Sequence, residues 1–285
     1  MKKSIKLLCF MMAVLMCMFC FTACGGPDTD DNKDAGNGGT ASNADKKPTI
    51  VVGYTIYEPM NYLDESGKLV GYDTELAEKV FTNLGYQVIF KEILWENKYT
   101  DLNSGVIDCI WNGFTCNTKD DDGIERSSKV DFSYNYMENL QVVVVKNNAN
   151  IKTAADLNKK IGAAETGSAG ESYIKDAFSG VIAKGFTKQT DCLLEVNAGT
   201  ADFAVVDRQL AQSYCGKGDY ASLTIVEGLS SDVEYYAIGF KRNSELTAKV
   251  NAELEKLAAD GTIAALAERY DVVNTAIKDF SDQKK

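Results

Sequence analysis

The groups able to do chemistry in this sequence are defined first by one that is missing: the chain has no histidine. That removes Ser-His and Cys-His nucleophile pairs, imidazole metal ligands and the usual proton shuttle at neutral pH. Carboxylates such as Glu165 could in principle carry acid–base work, but an enzyme built on this sequence would lack most of its usual equipment. Of the eight cysteines, Cys9, Cys17, Cys20 and Cys24 fall in or beside an apolar N-terminal run, and Cys109, Cys116, Cys192 and Cys215 are spread through the rest. The spacing of those four matches no metal-site signature and allows three disulfide pairings, so buried free thiols are expected. The run Asp120-Asp121-Asp122 lacks the spacing of a calcium loop. No metal and no cofactor is expected.

What remains is suited to binding. Ser168-Ala169-Gly170-Glu171 reads as a capping box, a serine followed three residues later by a glutamate, and a capped helix start aims backbone N–H groups and a dipole at an anion. Asp207 ends the apolar run Phe203-Ala204-Val205-Val206, which reads as a buried strand. A carboxylate there either faces a cleft at the strand end or caps a helix over 208–214.

The elements that must position these groups alternate between short strands and helices. Strands are read at 50–52, 88–90, 109–111, 141–145, 160–163, 201–206 and 235–240. Helices are read over 72–84, with Leu76, Val80, Phe81 and Leu84 on one face, near 171–178, and from Leu246 through Val250, Leu254 and Leu257, with Gly261 as an interruption. This βαβ alternation predicts an α/β fold whose sheets are mostly parallel and carry helices on both faces. Strand alternation turns Trp111 away from Asn112, into core or rim. No repeat of solenoid period is present.

The N-terminus has its own logic. Lys2, Lys3 and Lys6 precede an apolar run over 7–21 and then Thr22-Ala23-Cys24, which reads as a signal peptide over 1–23 with a lipobox-like ending and Cys24 as the acylated residue. An ordinary cleaved signal or an uncleaved anchor are the other readings of the same run. Residues 24–48 contain no large apolar side chain and are expected to be a disordered tether, with a reach of roughly 25 to 30 Å. The formal net charge is −11. Without those three lysines, 27 of the 30 basic residues stand against 41 acidic ones, a net −14. Nucleic acid and anionic lipid surfaces would repel such a chain, so its contact with a membrane is expected through the lipid alone.

Several ordered motifs resemble one family, the family 3 extracellular solute-binding proteins. They are Gly71-Tyr72-Asp73, Leu102-Asn103-Ser104-Gly105 with Ile107-Asp108, Asn112-Gly113-Phe114-Thr115, Glu125-Arg126, Val130-Asp131-Phe132-Ser133, Lys160-Ile161-Gly162, Gly167-Ser168-Ala169-Gly170-Glu171, the stretch Ala201-Asp202 through Asp207, and Ala259-Asp260-Gly261-Thr262. The resemblance implies a two-lobed, type II periplasmic-binding-protein-like fold. Lobe one would be 49–140 plus 236–285, lobe two 141–235, and the hinge two crossing strands at 141–143 and 234–236. It implies a monomer on the extracellular face of the membrane, lipid-anchored, that binds a polar free amino acid and delivers it to an ABC transporter permease. An amino-acid sensor for a membrane receptor and, further off, an enzyme on the same fold are the alternatives.

Carried over residue by residue, Arg126 would grip the ligand carboxylate, for which a planar fork is suited; on its own it also reads as a surface arginine paired with Glu125 or the neighbouring aspartates. Asp207, the Gly113 carbonyl and the Thr115 hydroxyl would hold the ammonium, with Asn112 beside them. Ser168 and Ala169 would offer backbone N–H groups, the usual threonine hydroxyl being replaced by Ala169. Tyr57 and Trp95 would flank the side chain, or else pack in the core. Between Thr115 and Arg126 the chain is longer than the family pattern by the apparent insertion Lys119-Asp120-Asp121-Asp122-Gly123.

Overall fold

Thr49–Tyr54 buries Ile50 and Val52 and lies at the heart of the first of two five-stranded sheets in the computed structural model, which describes residues 47–284. The signal segment 1–23, Cys24 and the tether up to residue 46 lie outside the described residues. The first sheet runs in the order Gln87–Glu92, Thr49–Tyr54, Cys109–Ile110, Gly239–Phe240, Asp131–Phe132. The second runs Ile182–Phe186, Ile161–Glu165, Phe203–Asp207, Gln141–Lys146, Leu223–Ser230. In each sheet the first three strands are parallel and the last two join antiparallel. The expectation of mostly parallel sheets therefore holds for one half of each. The antiparallel half arises because the chain passes from one sheet to the other and back through extended segments rather than through crossover helices.

Those segments are Met137–Asn139 and Glu234–Tyr236, which pair antiparallel with Asn139 opposite Glu234. Gln141–Val143, expected as a crossing segment, instead lies inside a strand of the second sheet. The single strand expected over 235–240 is two. Tyr236 pairs with Met137, whereas Gly239 and Phe240 pair with Ile110 and Cys109 in the first sheet, so the chain changes partner at Ala237 and Ile238.

The helix Tyr72–Asn83 buries Leu76, Val80 and Phe81. Leu246–Ala259 and Thr262–Arg269 pack beside it, separated at Gly261, whose φ of 83° only glycine adopts freely. Each large apolar side chain taken out of water there contributes about 1.5–3 kcal/mol. The second sheet is covered by Ala169–Ala177 on one side and Gln189–Ala198 on the other, with Val143, Val145 and Phe203 in one cluster and Val142, Val144 and Val206 in the other. Among the described residues no helix is long and apolar enough to cross a membrane, and Cys109, Cys116, Cys192 and Cys215 are free thiols.

Candidate functional site

The loop Asn112-Gly113-Phe114-Thr115 leaves the end of the strand Cys109–Ile110 and is held open by buried polar partners. Gly113 has φ 57°, and a methyl group there would lie 2.6 Å from Cε1 of Tyr57. Its N–H donates to Asp73 Oδ2 at 2.9 Å, and the Tyr136 hydroxyl donates to the same oxygen. Burial lifts the Asp73 pKa to about 7 in spite of those bonds. The Asn112 side chain is fully engaged inside its own lobe, accepting from Thr55 Oγ1 and donating to Thr55 O and Asn61 Oδ1. Thr115 Oγ1 donates to Glu234 at 3.1 Å. The loop presents mainly backbone.

Arg126 is only 1 % exposed, which excludes the surface arginine of the sequence reading, yet it is paired: its Nε donates to Asp120 Oδ1 at 2.8 Å. Nη1 donates to Thr115 O at 3.2 Å and Nη2 to Gly167 O, across the cleft, at 3.3 Å. The guanidinium lies 5.3 Å from the Phe114 ring centre. Burial raises the Asp120 pKa, but Arg126 and Lys129 outweigh it and hold the carboxyl below the usual range. A buried charge fixed this way keeps its fork in one orientation.

The opposite wall belongs to the second sheet, at the carboxyl ends of its parallel strands, where ligands of α/β sheets usually sit. Ser168 caps Ala169–Ala177, its hydroxyl accepting from Glu171 N at 3.1 Å. The capping box is only half formed, because the Glu171 carboxylate accepts from Gly167 N instead of Ser168 N. The Asp207 side chain makes no cap bond to the following helix, which removes the capping alternative. It accepts instead from Asn139, Gln141 and Gln189 amides. Asn139 and Gln141 also donate to Glu234, so two buried carboxylates share two amides. Burial raises both pKa values and proximity to Asp207 adds to the effect on Glu234, which reaches about 7.

Between the walls is a narrow cavity of about 10 Å³. Trp95, Asn112, Gly113, Thr115 and Arg126 line it from one lobe, and Ser168, Ala169 and Asp207 from the other. Of the expected residues Tyr57 alone is not in the lining; it is buried under Gly113 with its hydroxyl 2.7 Å from that of Tyr236, a packing role. Trp111 is core, edge-on to Phe81. Two lining residues were not expected there: Glu165, at the end of the strand next to that of Asp207, and Gln189, whose amide is bonded both ways to Asp207. A lysine, Lys98, closes the cleft from the first lobe. It is 2 % exposed, donates to Gly167 O at 3.0 Å, lies 5.0 Å from the Trp95 ring centre, and is lowered by burial and by Arg126 to a pKa of about 7.

Other contacts join the two lobes at the rim. Asp121 accepts from Ser172 and Lys175 of the capped helix, and Lys188 pairs with Glu92 at 2.6 Å. The arrangement sets a cation and an anion on opposite walls of one narrow cleft.

The family model described as bacterial extracellular solute-binding proteins, family 3, matches residues 50–272. The chain is 29 % identical over 255 residues to the L-cystine-binding protein TcyA of Bacillus subtilis (strain 168), covering 87 % of this chain and 91 % of that one. It is 27 % identical to the arginine-binding extracellular protein ArtP of the same organism, covering 88 % and 92 %. Among solved structures, an ancestral arginine-binding protein bound to arginine superposes with a TM-score of 0.70 at 34 % identity, over 79 % of this chain and 98 % of that one.

Proposed function

This chain belongs to the bacterial extracellular solute-binding proteins of family 3, and we propose that it binds one free amino acid between its two lobes and delivers it to an ABC importer, held at the extracellular face of the cell membrane by a lipid on Cys24. The observation that carries the reading is the pairing of Arg126 on one wall of the cavity with Asp207 on the other. A free amino acid has a carboxylate and an ammonium on neighbouring atoms, and these two walls offer each its opposite charge.

Arg126 receives the carboxylate on its Nη1 and Nη2 edge, exchanging the bonds to Thr115 O and Gly167 O for two charge-assisted ones. The N-terminus of Ala169–Ala177 adds backbone N–H groups to the same carboxylate. The ammonium settles against Asp207 and the Gly113 carbonyl, opposing the burial that raises the Asp207 pKa. Because Asp207 and the capped helix lie in lobe two and Arg126 in lobe one, only the closed arrangement gives the ligand both. A ligand shifts such an equilibrium by its differential affinity for the two forms. The crossing segments Met137–Asn139 and Glu234–Tyr236 are the proposed hinge, with lobe one formed by both ends of the described chain.

The test is a thermal-shift screen of the purified protein against the common L-amino acids, followed by calorimetry on those that stabilise it. At least one should bind in the micromolar range, about −8 kcal/mol. Arg126→Ala should abolish that binding and Asp207→Asn should weaken it at least tenfold, since each leaves a ligand charge buried without its partner. Wild-type affinity in both variants, or no response to any amino acid, would refute the proposal.

A further inference from the structure

Glu165 is 3 % exposed and lines the cavity, yet its Oε1 is buried without a hydrogen-bond partner and the side chain takes part in no ion pair among the described residues. Leaving a carboxylate in that condition costs several kcal/mol in a protein interior, so its retention at a ligand cavity is informative. Its position is equally specific. Ile161–Glu165 and Phe203–Asp207 are neighbouring parallel strands, with Phe203 opposite Gly162 and Ala204 opposite Ala163. Continued, that register sets Glu165 opposite Val206, one residue before Asp207, so the two acids lie close together at the carboxyl edge of the second sheet and both line the same small space.

The charged groups lining that space are Arg126, Asp207 and Glu165, one cation and two anions. The complement of this set is one anion and two cations. Resting on the reading that a free amino acid binds here, we infer that Glu165 selects the side chain, and that the ligand is an amino acid with a cationic end, an ammonium, guanidinium or imidazolium. Arg126 takes the carboxylate, Asp207 the α-ammonium and Glu165 the distal cation, while Trp95 lines the same space and offers apolar surface to an aliphatic stem. Lys98 does not supply the missing partner, since its ammonium is directed to the carbonyls of Trp95 and Gly167.

The surroundings of Glu165 agree. Burial foremost, then Asp207, push its pKa up to about 8, Asp191 in the same direction, with Lys98 and Lys188 opposing. Without a bound cation the group is then largely protonated at neutral pH. A cationic side chain pulls it back to the carboxylate, whereas a neutral or acidic one gains nothing from it.

Calorimetry on the purified protein with arginine, lysine and histidine, with citrulline and norleucine as neutral counterparts of the first two, and with glutamate and glutamine decides the matter. A cationic amino acid is expected to bind at least about tenfold more tightly than its neutral counterpart. In Glu165→Gln that ratio should collapse to within about twofold, with a circular-dichroism spectrum and a cooperative thermal transition certifying the fold of the variant. The inference is overturned if glutamate, glutamine or a neutral counterpart binds the wild type as tightly as any cation, or if the ratio survives the substitution. Should the variant fail to fold, the wild-type ratio decides alone. Binding of some amino acid without cation preference sinks only this inference. No binding of any amino acid sinks the underlying reading with it.

Discussion

Replacing Asp121 by alanine removes a contact between lobes without touching the cavity. Asp121 belongs to the extra loop of lobe one and accepts from Lys175 Nζ at 2.8 Å and Ser172 Oγ at 3.2 Å, both on the helix of lobe two whose start faces the ligand. The side chains of Asp121 and Lys175 are 38 % and 44 % exposed, so solvent screens the pair to the range of about 0.2–1 kcal/mol measured for such contacts. The serine bond adds about 0.5 kcal/mol or more. If the contact forms only on closure, its loss of about 1 kcal/mol weakens ligand binding roughly fivefold while leaving the site chemistry intact. Calorimetry at low and high salt, in a cycle with Lys175→Met, isolates the pair from the Glu171 partner that Lys175 keeps. Burial raises the Asp121 pKa, but Lys175, Glu171 and Ser172 lower it further, so the folded value is depressed. The contribution is thus present above the ordinary carboxylate range and disappears only as pH falls through the lowered value. Between pH 5 and 8 the fivefold ratio should therefore be constant. A coupling energy indistinguishable from zero, or a ratio independent of salt, would refute the assignment of this loop as a closing contact.

Two further outcomes concern stability. Gly113→Ala places a methyl group within 2.6 Å of Tyr57 and 3.1 Å of Tyr236, rings tied together by their hydroxyls, at φ 57°, and should cost about 2 kcal/mol or more by denaturant unfolding; a loss below about 0.5 kcal/mol would show that the loop relaxes freely. For the ligand-free protein, Asp73 and Glu234 have folded pKa values raised to about 7 and Glu165 to about 8. These three groups hold more protons in the folded state than in the unfolded chain, so their contribution falls as pH rises from 5 to 7, above which Lys98, lowered to about 7, opposes them; melting temperatures measured across pH 5 to 7 should decline, and a flat or rising profile would contradict these ionisations.

Much of the scaffold was legible because it is written locally. The strand Phe203–Asp207 is a run of small and apolar residues ending in one acid, the start of Ala169–Ala177 is marked by Ser168, and the break at Gly261 follows from the one residue that tolerates its φ. The expected crossing segment at 141–143 falls on the strand Gln141–Lys146, which reads the same in sequence whether it crosses or pairs within a sheet. The chemistry of the cavity was less legible because its supports are distant in sequence. Asn139 and Gln141 reach Asp207 over 68 and 66 positions, and nothing periodic in the chain announces either bond. Glu165 was visible as a carboxylate, but its value lies in standing at a strand end beside Asp207, which requires the strand order and register.

The extra loop over 119–123 shows why a departure from a family pattern need not disturb the site behind it. Asp120 N donates to Ile124 O and Gly123 N to Asp120 O, while Lys119 and Glu125 form a bridge, so the added residues close on themselves as a tight turn. That turn brings Asp120 to the Nε edge of Arg126 and leaves the Nη1 and Nη2 edge directed into the cavity. A guanidinium has two edges, and occupying one with a carboxylate from the protein orients the other towards a carboxylate from a ligand. Arg126 is thus buried and paired at once, and in the proposed reading the pair with Asp120 holds the edge that meets the ligand. Asp121, the next residue, points from the same turn to the opposite lobe. The acids of this one turn thus meet cations on each side, Arg126 and Lys129 in its own lobe and Lys175 in the other.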